Sequence, residues 1–216
     1  MKRVLLLGDS IRIGYCREVK EVFAGKAEVL FPDENCRFAE YFLRHLTDWK
    51  EETCENEDVD VLHWNAGLWD CLRQYDEEPL TPIEIYRYYM ERVCRRIRLL
   101  FPKAKVIFAT STPIQEEMYG TTKEFFRYNA DICAYNAVAV DVVKQFGMEV
   151  NDLYAVAERF PKDYYTDATH PYSAQGRYAL AKQVTAYVAD ALNMEAPEVP
   201  CDIALRAGTI EKISGF

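Results

Sequence analysis

Lys2-Arg3-Val4-Leu5-Leu6-Leu7-Gly8-Asp9-Ser10 is the stretch whose reading decides the fold. Within it Arg3–Leu7 is the strand candidate, since an apolar run with no polar residue alternating through it is the pattern of a strand covered on both faces. It stops at a glycine, followed by two residues that favour helix starts. Similar runs recur at Ala27–Phe31, Val59–Trp64, Lys105–Thr110 and Met148–Asn151. Helical periodicity fills the intervals near 12–24, 36–54, 82–101 and 123–146, with a last stretch at about 173–193. Strands alternating with helices predict an α/β protein with a parallel sheet between two helical layers. Right-handed crossovers then bring every strand's C-terminal end to one rim, where such sheets bind ligands.

Several boundaries are legible. Gly25 and Gly147 fall where helices should stop, and Pro102 follows the apolar end of the 82–101 helix. Thr81-Pro82 reads as an N-cap and first-turn proline, with Glu84 in the first turn. Residues 1–194 are expected to form one domain. Residues 195–216 form an extension expected to pack on it or on a neighbouring subunit, with Ile203-Ala204-Leu205 and Thr209–Ile213 as a short hairpin.

The chain has 216 residues, is half apolar and 28% charged, and has a formal net charge of −9. Those values suit a globular protein with a sizeable core. An acidic balance argues against nucleic acid as partner, because phosphate binding needs a basic face. No run approaches the ~18 apolar residues of a membrane helix, so no membrane partner is expected. The four apolar residues Val4–Leu7 are too few for a signal-peptide core. Seven cysteines, an odd count with no CxxC pair, read as free thiols in a reducing, cytoplasmic compartment.

The chemistry-bearing residues lie at the two ends. Ser10 leaves the first strand and opens a helix whose free N–H groups face its oxygen. Far along the chain comes Asp167-Ala168-Thr169-His170-Pro171, which holds one of only three histidines. Within one turn, the Asp167 carboxylate can hold one imidazole nitrogen of His170 and leave the other for a serine. Taken singly, GDS is also an ordinary helix cap and the Asp/His turn an ordinary surface turn. Together on one rim they make the parts of a hydrolytic triad.

These two blocks resemble the first and last blocks of the SGNH (GDSL-type) hydrolases, and the likeness spans roughly residues 3–193. The resemblance implies a three-layer α/β/α sandwich, flavodoxin-like, around a five-stranded parallel sheet. It also implies ester hydrolysis with neither metal nor cofactor, with Ser10 as nucleophile, His170 as base and Asp167 as its partner. The serine lies in no GxSxG elbow, since position 12 is Arg. The family's second block normally supplies a glycine N–H to the oxyanion hole. Here that loop reads Pro32-Asp33-Glu34-Asn35-Cys36-Arg37, so a backbone N–H at Cys36 or Arg37 is the expected substitute. The third block, usually GxND, reads Asn65-Ala66-Gly67-Leu68-Trp69-Asp70 and is similar to an NxGLHD version in part of the family. Asn65 is then the expected amide donor, beside the N–H of Ser10. Small acyl esters on carbohydrate, acetyl above all, are the substrates the resemblance implies.

Asp9, Arg12, Arg37 and Trp69 are candidate substrate contacts. Arginine beside aromatic faces suits a carboxylated or sugar-like ligand, while surface arginines and core tryptophans are the plainer alternative; Arg73 and Trp64 are weighed in the same way. His63 and His45 lie inside strand and helix patterns and are expected to be structural or solvated. Cys16 and Cys36 are expected as buried small hydrophobes. No His/Cys/Asp spacing resembles a zinc site. The aromatic segment 112–128 either overhangs the site, as substrate wall or homodimer contact, or packs under its helix. Two rivals stand beside the small-acyl esterase. One is a thioesterase or lysophospholipase for longer acyl chains. The other is a catalytically weak carbohydrate- or protein-binding domain, favoured by the altered oxyanion blocks.

Overall fold

The apolar runs pair as a parallel sheet. The computed structural model describes residues 1–75, 77–120, 124–208 and 210. Strands β1 (Lys2–Leu7), β2 (Ala27–Leu30), β3 (Val61–Trp64), β4 (Lys105–Ala109) and β5 (Glu149–Asn151) form one five-stranded sheet in the order β2-β1-β3-β4-β5. Every pairing is parallel, with Val4 opposite both Val29 and Val61. Val4–Leu7 and Val61–Trp64 are solvent-free. That follows from helices covering both faces, and it explains why these strands carry no polar alternation.

On one face α3 (Ala39–Cys54), α4 (Ile83–Leu100) and α5 (Asn129–Gln145) pack side by side. On the other, α7 (Ala174–Ala191) packs on α2 (Cys16–Val22) and α6 (Leu153–Ala157). The short α8 (Ile203–Arg206) rests on α2 and α7. Trp64 lies in the core between Phe42 and Phe108, at centroid distances of 5.2 and 4.9 Å.

Four expectations need adjustment. The helix expected at 12–24 is two pieces, α1 (Ser10–Ile13) and α2, because Tyr15 leaves helical geometry at φ −135°. The helix expected from 123 begins at Asn129; residues 121–123 lie outside the described residues. Pro82 itself occupies the N-cap of α4 and has no side-chain acceptor to cap with, while the Thr81 hydroxyl bonds to Asp70. Residues 203–206 are helical rather than a hairpin arm; of its partner stretch, Thr209 and residues 211–213 lie outside the described residues.

The order of connections reverses at β1, with β2 on one side and β3 on the other. Ligands bind at such switch points, beyond the carboxyl ends of the strands. Ser10 follows β1 and Asn65 follows β3, so both leave the sheet there.

Candidate active site

Ser10 opens α1, and Asp9 caps it by accepting the Ile11 N–H at 2.9 Å. Gly8 must be a glycine: at φ +157°, a Cβ there would lie 1.9 Å from Asn65 Oδ1 and 2.9 Å from Arg12 Cβ. The Asn65 amide is thereby held against the residue two before the nucleophile.

After β5 the chain returns to the same rim. In the turn 167–170, Asp167 Oδ1 accepts the backbone N–H groups of Thr169 (2.7 Å) and His170 (2.9 Å). His170 Nδ1 lies 2.8 Å from Asp167 Oδ2, and His170 Nε2 lies 2.8 Å from Ser10 Oγ. These contacts form an unbroken carboxylate–imidazole–hydroxyl line. The serine and histidine are buried, whereas the Asp167 side chain is 54% exposed. Burial pushes the Asp167 carboxyl up, but the His170 bond and charge and the two N–H donors outweigh it, so its pKa is lowered.

The loop 113–119 fastens this turn in place. Gln115 N donates to Ala168 O at 2.7 Å, Tyr119 Oη and Thr169 Oγ1 are 2.9 Å apart, and Tyr165 Oη donates to Pro113 O at 3.1 Å. Arg127 donates through Nε to Leu68 O in the third-block loop. Residues 113–119 and Arg127 therefore pack within the domain, against the 165–169 turn and the loop after β3.

The candidate oxyanion donors separate into spent and unspent groups. Cys36 N–H donates to Gly8 O at 3.0 Å, and Arg37 N–H donates to Asn35 Oδ1 at 2.8 Å. The expected second-block donor is therefore occupied in this structure. Burial pushes the Cys36 thiol up to about 12, so it behaves as a small hydrophobe. Asn65 is buried and its amide faces the Asp9 carboxyl, which it helps to keep ionised.

The candidate substrate contacts also divide. Arg12 is buried, and its guanidinium donates to the carbonyls of Pro32 (3.0 Å), Gly8 (3.4 Å) and Glu34. It clamps the 32–36 loop onto the end of β1 instead of facing a ligand. Asp9 is likewise interior: burial drives its pKa up, opposed by the Asn65 amide, the Ile11 N–H and the charges of Arg127 and His170. Arg37 remains exposed at φ +50°, stacked 5.0 Å from the Tyr41 ring, and Trp69 is half-buried in the Asn65 loop. Arg73 is paired with Asp131 at 2.8 Å.

His63 is interior, between Asn151 Nδ2 at 3.1 Å and Tyr15 Oη at 3.5 Å, and burial lowers its pKa to about 3. His45 lies on α3, 3.1 Å from Asp48. Among the described residues no cluster of three or more His, Cys, Asp or Glu side chains could hold a metal ion. Nor is any helix among them long and apolar enough to cross a membrane. Sequence reasoning missed Tyr172, whose hydroxyl donates to Ser10 O and whose ring lies 4.7 Å from the His170 imidazole. A Cβ at Gly14 would meet Tyr172 Cε1 at 2.6 Å, a closeness that no local sequence pattern signals.

The chain matches no protein-family model and no curated protein. Solved structures do resemble it. A lipase/acylhydrolase from Enterococcus faecalis superposes with a TM-score of 0.69 at 20% identity, covering 92% of this chain and 100% of that one. The acetylxylan esterase Axe2 from Geobacillus stearothermophilus gives a TM-score of 0.65 at 14% identity, covering 92% and 97%. A GDSL-like lipase from Bacteroides thetaiotaomicron gives 0.66 at 16% identity, covering 88% and 89%. The protein thus has the α/β/α fold of the SGNH (GDSL-type) hydrolases.

Proposed function

We propose that the protein is a serine esterase that removes small acyl groups, acetyl foremost, from carbohydrate esters in the cytoplasm. The observation that carries this reading is the Asp167–His170–Ser10 line, with its contacts of 2.8 Å. The hydroxyl of Ser10 attacks the ester carbonyl as its proton passes to His170 Nε2. The C–O bond to the alcohol then breaks, and the same imidazole returns the proton to the departing alkoxide. Water repeats the sequence on the acyl-enzyme, releasing the acid and restoring Ser10. Asp167 holds the Nδ1–H tautomer and stabilises the imidazolium. The Ser10 N–H and the Asn65 amide are the donors for the oxyanion. The acetyl preference draws on the acetylxylan esterases among the structural neighbours. The compartment rests on seven cysteines, all unpaired.

Ser10→Ala is expected to abolish hydrolysis of 4-nitrophenyl acetate and labelling by a fluorophosphonate probe. Full activity in that variant would refute the mechanism. An acyl-length series that peaked at eight carbons or more would replace the small-acyl assignment with a long-chain acylhydrolase. The occupied Cys36 and Arg37 N–H groups favour a second reading, a catalytically weak carbohydrate-binding domain. Sugar binding by a protein that takes no fluorophosphonate label would establish it.

A further inference from the structure

The geometry points to Tyr172 as a positioning residue that fixes the nucleophile and the base relative to one another; this assignment deepens the esterase reading and rests on it. The peptide group joining Ser10 to Ile11 is held at both polar ends. Its N–H donates to Asp9 Oδ1 at 2.9 Å, and its C=O accepts the Tyr172 hydroxyl as well as the Gly14 N–H at 3.1 Å. The tyrosine ring lies against the His170 imidazole, with centroids 4.7 Å apart and planes inclined by 34°. Tyr172 is itself fixed to the base, since its N–H donates to His170 O at 2.9 Å.

One side chain therefore touches the backbone of the nucleophile and the ring of the base. The two halves of the reacting pair are separated by 160 residues of chain. Asp167 orients the imidazole from its Nδ1 side, and that carboxylate is half in solvent. The Tyr172 ring blocks rotation and tilt on a face that Asp167 does not reach. Positioning of this kind acts on the reaction rate, because a misplacement of about 1 Å can cost on the order of 10²-fold.

The space for this ring is built into the opposite loop. Gly14 has ordinary helical geometry (φ −64°), so its backbone does not require glycine. The tyrosine ring does, since a Cβ at position 14 would lie 2.6 Å from Tyr172 Cε1. Burial pushes the Tyr172 phenol well above its usual range, so it remains a donor at every working pH.

The test compares Tyr172→Phe, which keeps the ring and loses the clip, with Tyr172→Leu, which loses both, and with Gly14→Ala, which displaces the ring while the tyrosine stays. Each is measured for kcat and KM on 4-nitrophenyl acetate, for the melting temperature, and for the His170 Nδ1–H resonance in proton NMR. Tyr172→Phe is expected to lower kcat about 10-fold and Tyr172→Leu about 10²-fold, with KM within about twofold. The Nδ1–H signal should broaden in Tyr172→Leu and Gly14→Ala as the imidazole gains freedom. Folded variants with wild-type kcat and an unchanged signal would overturn the assignment, as would a kcat loss matched entirely by loss of folded protein. Broadening in a protein that hydrolyses no ester would leave Tyr172 as positioner and dispose of the esterase reading alone.

Discussion

The backbone N–H of Cys36 donates to the Gly8 carbonyl at 3.0 Å, and the Cys36 thiol receives the Gly8 N–H at 3.3 Å. This reciprocal pair fastens the loop after β2 to the end of β1, two residues before Ser10. It also removes from the oxyanion side the N–H that the second block was expected to supply. On the proposed mechanism, turnover then depends on the Ser10 N–H and the Asn65 amide as donors.

Asn65→Ala should lower kcat on 4-nitrophenyl acetate by about 10²–10³, the usual cost of one oxyanion donor. The melting temperature should fall as well, because the buried Asp9 carboxyl loses the amide that faces it. Kinetics and a thermal melt on the same preparation check both halves. Wild-type turnover in the variant would place the oxyanion elsewhere.

Asp167→Asn is expected to cost about 10²–10⁴ in kcat, since an amide no longer enforces the Nδ1–H tautomer of His170. The depressed pKa of Asp167 adds a consequence for stability. The native carboxylate is favoured, so its contribution is present above the ordinary pKa of about 4 and is lost as pH falls through the lowered native value. Acid melts of wild type should steepen below about pH 4, and those of Asp167→Asn should do so less.

Gly8→Ala should damage stability and chemistry together. The added methyl must displace the Asn65 amide at 1.9 Å and crowd Arg12 Cβ at 2.9 Å. Overpacking of this kind typically costs about 1–3 kcal/mol. A urea titration measures that loss, and kcat should fall by at least as much as in Asn65→Ala because the same donor is moved.

Much of this arrangement was legible in the residues, and the missing part has a physical cause. Five apolar runs gave five strands within one or two residues; the central β1 and β3 are plainest, because where a strand is buried on both faces it has no polar position to blur it. Asp167 and His170 could be paired from spacing alone, since one turn brings them together. Arg12 misled because composition cannot tell an arginine facing a ligand from one donating to three backbone carbonyls. The same holds for Cys36, whose N–H is free or spent according to a loop path that no local pattern encodes. Tyr172 was invisible because its role depends on contacts to Ser10 and Gly14, both distant in the chain.

Two buried titrating groups should pull the pH dependence of stability in opposite directions. Burial raises the Asp70 carboxyl to about 7, with the Thr81 hydroxyl and the Ala39 N–H opposing it. Its native form therefore binds the proton more tightly than the unfolded chain, and stability is lost as pH rises from about 4 to about 7. His63, lowered to about 3, has the reverse sign: stability is lost as pH falls below the ordinary value of about 6.5. Between about pH 4 and 6.5 the two effects oppose each other. The slope of melting temperature against pH in that window should become more positive in Asp70→Asn and more negative in His63→Gln. Identical slopes in all three proteins would mean that neither group titrates in the folded state as its surroundings require.

The extension that follows α7 is tied to the domain through one buried arginine. Arg177 pairs with the interior carboxylate of Glu18 and donates to Gly208 O at 2.8 Å, so one guanidinium joins α2, α7 and the segment after α8. Burial raises the Glu18 pKa, and the charge of Arg177 is the chief force holding it down. Arg177→Met leaves that carboxylate without its counter-charge and should cost about 3–5 kcal/mol in urea unfolding. Glu18→Leu combined with Arg177→Met should recover most of the loss, since a well-packed apolar pair is often as stable as a buried ion pair. Even then the Gly208 carbonyl stays unclamped, so trypsin should cut after Arg206 faster in the double variant than in wild type. A double variant as unstable as the single one would show that the guanidinium matters for its link to Gly208 and not for its charge.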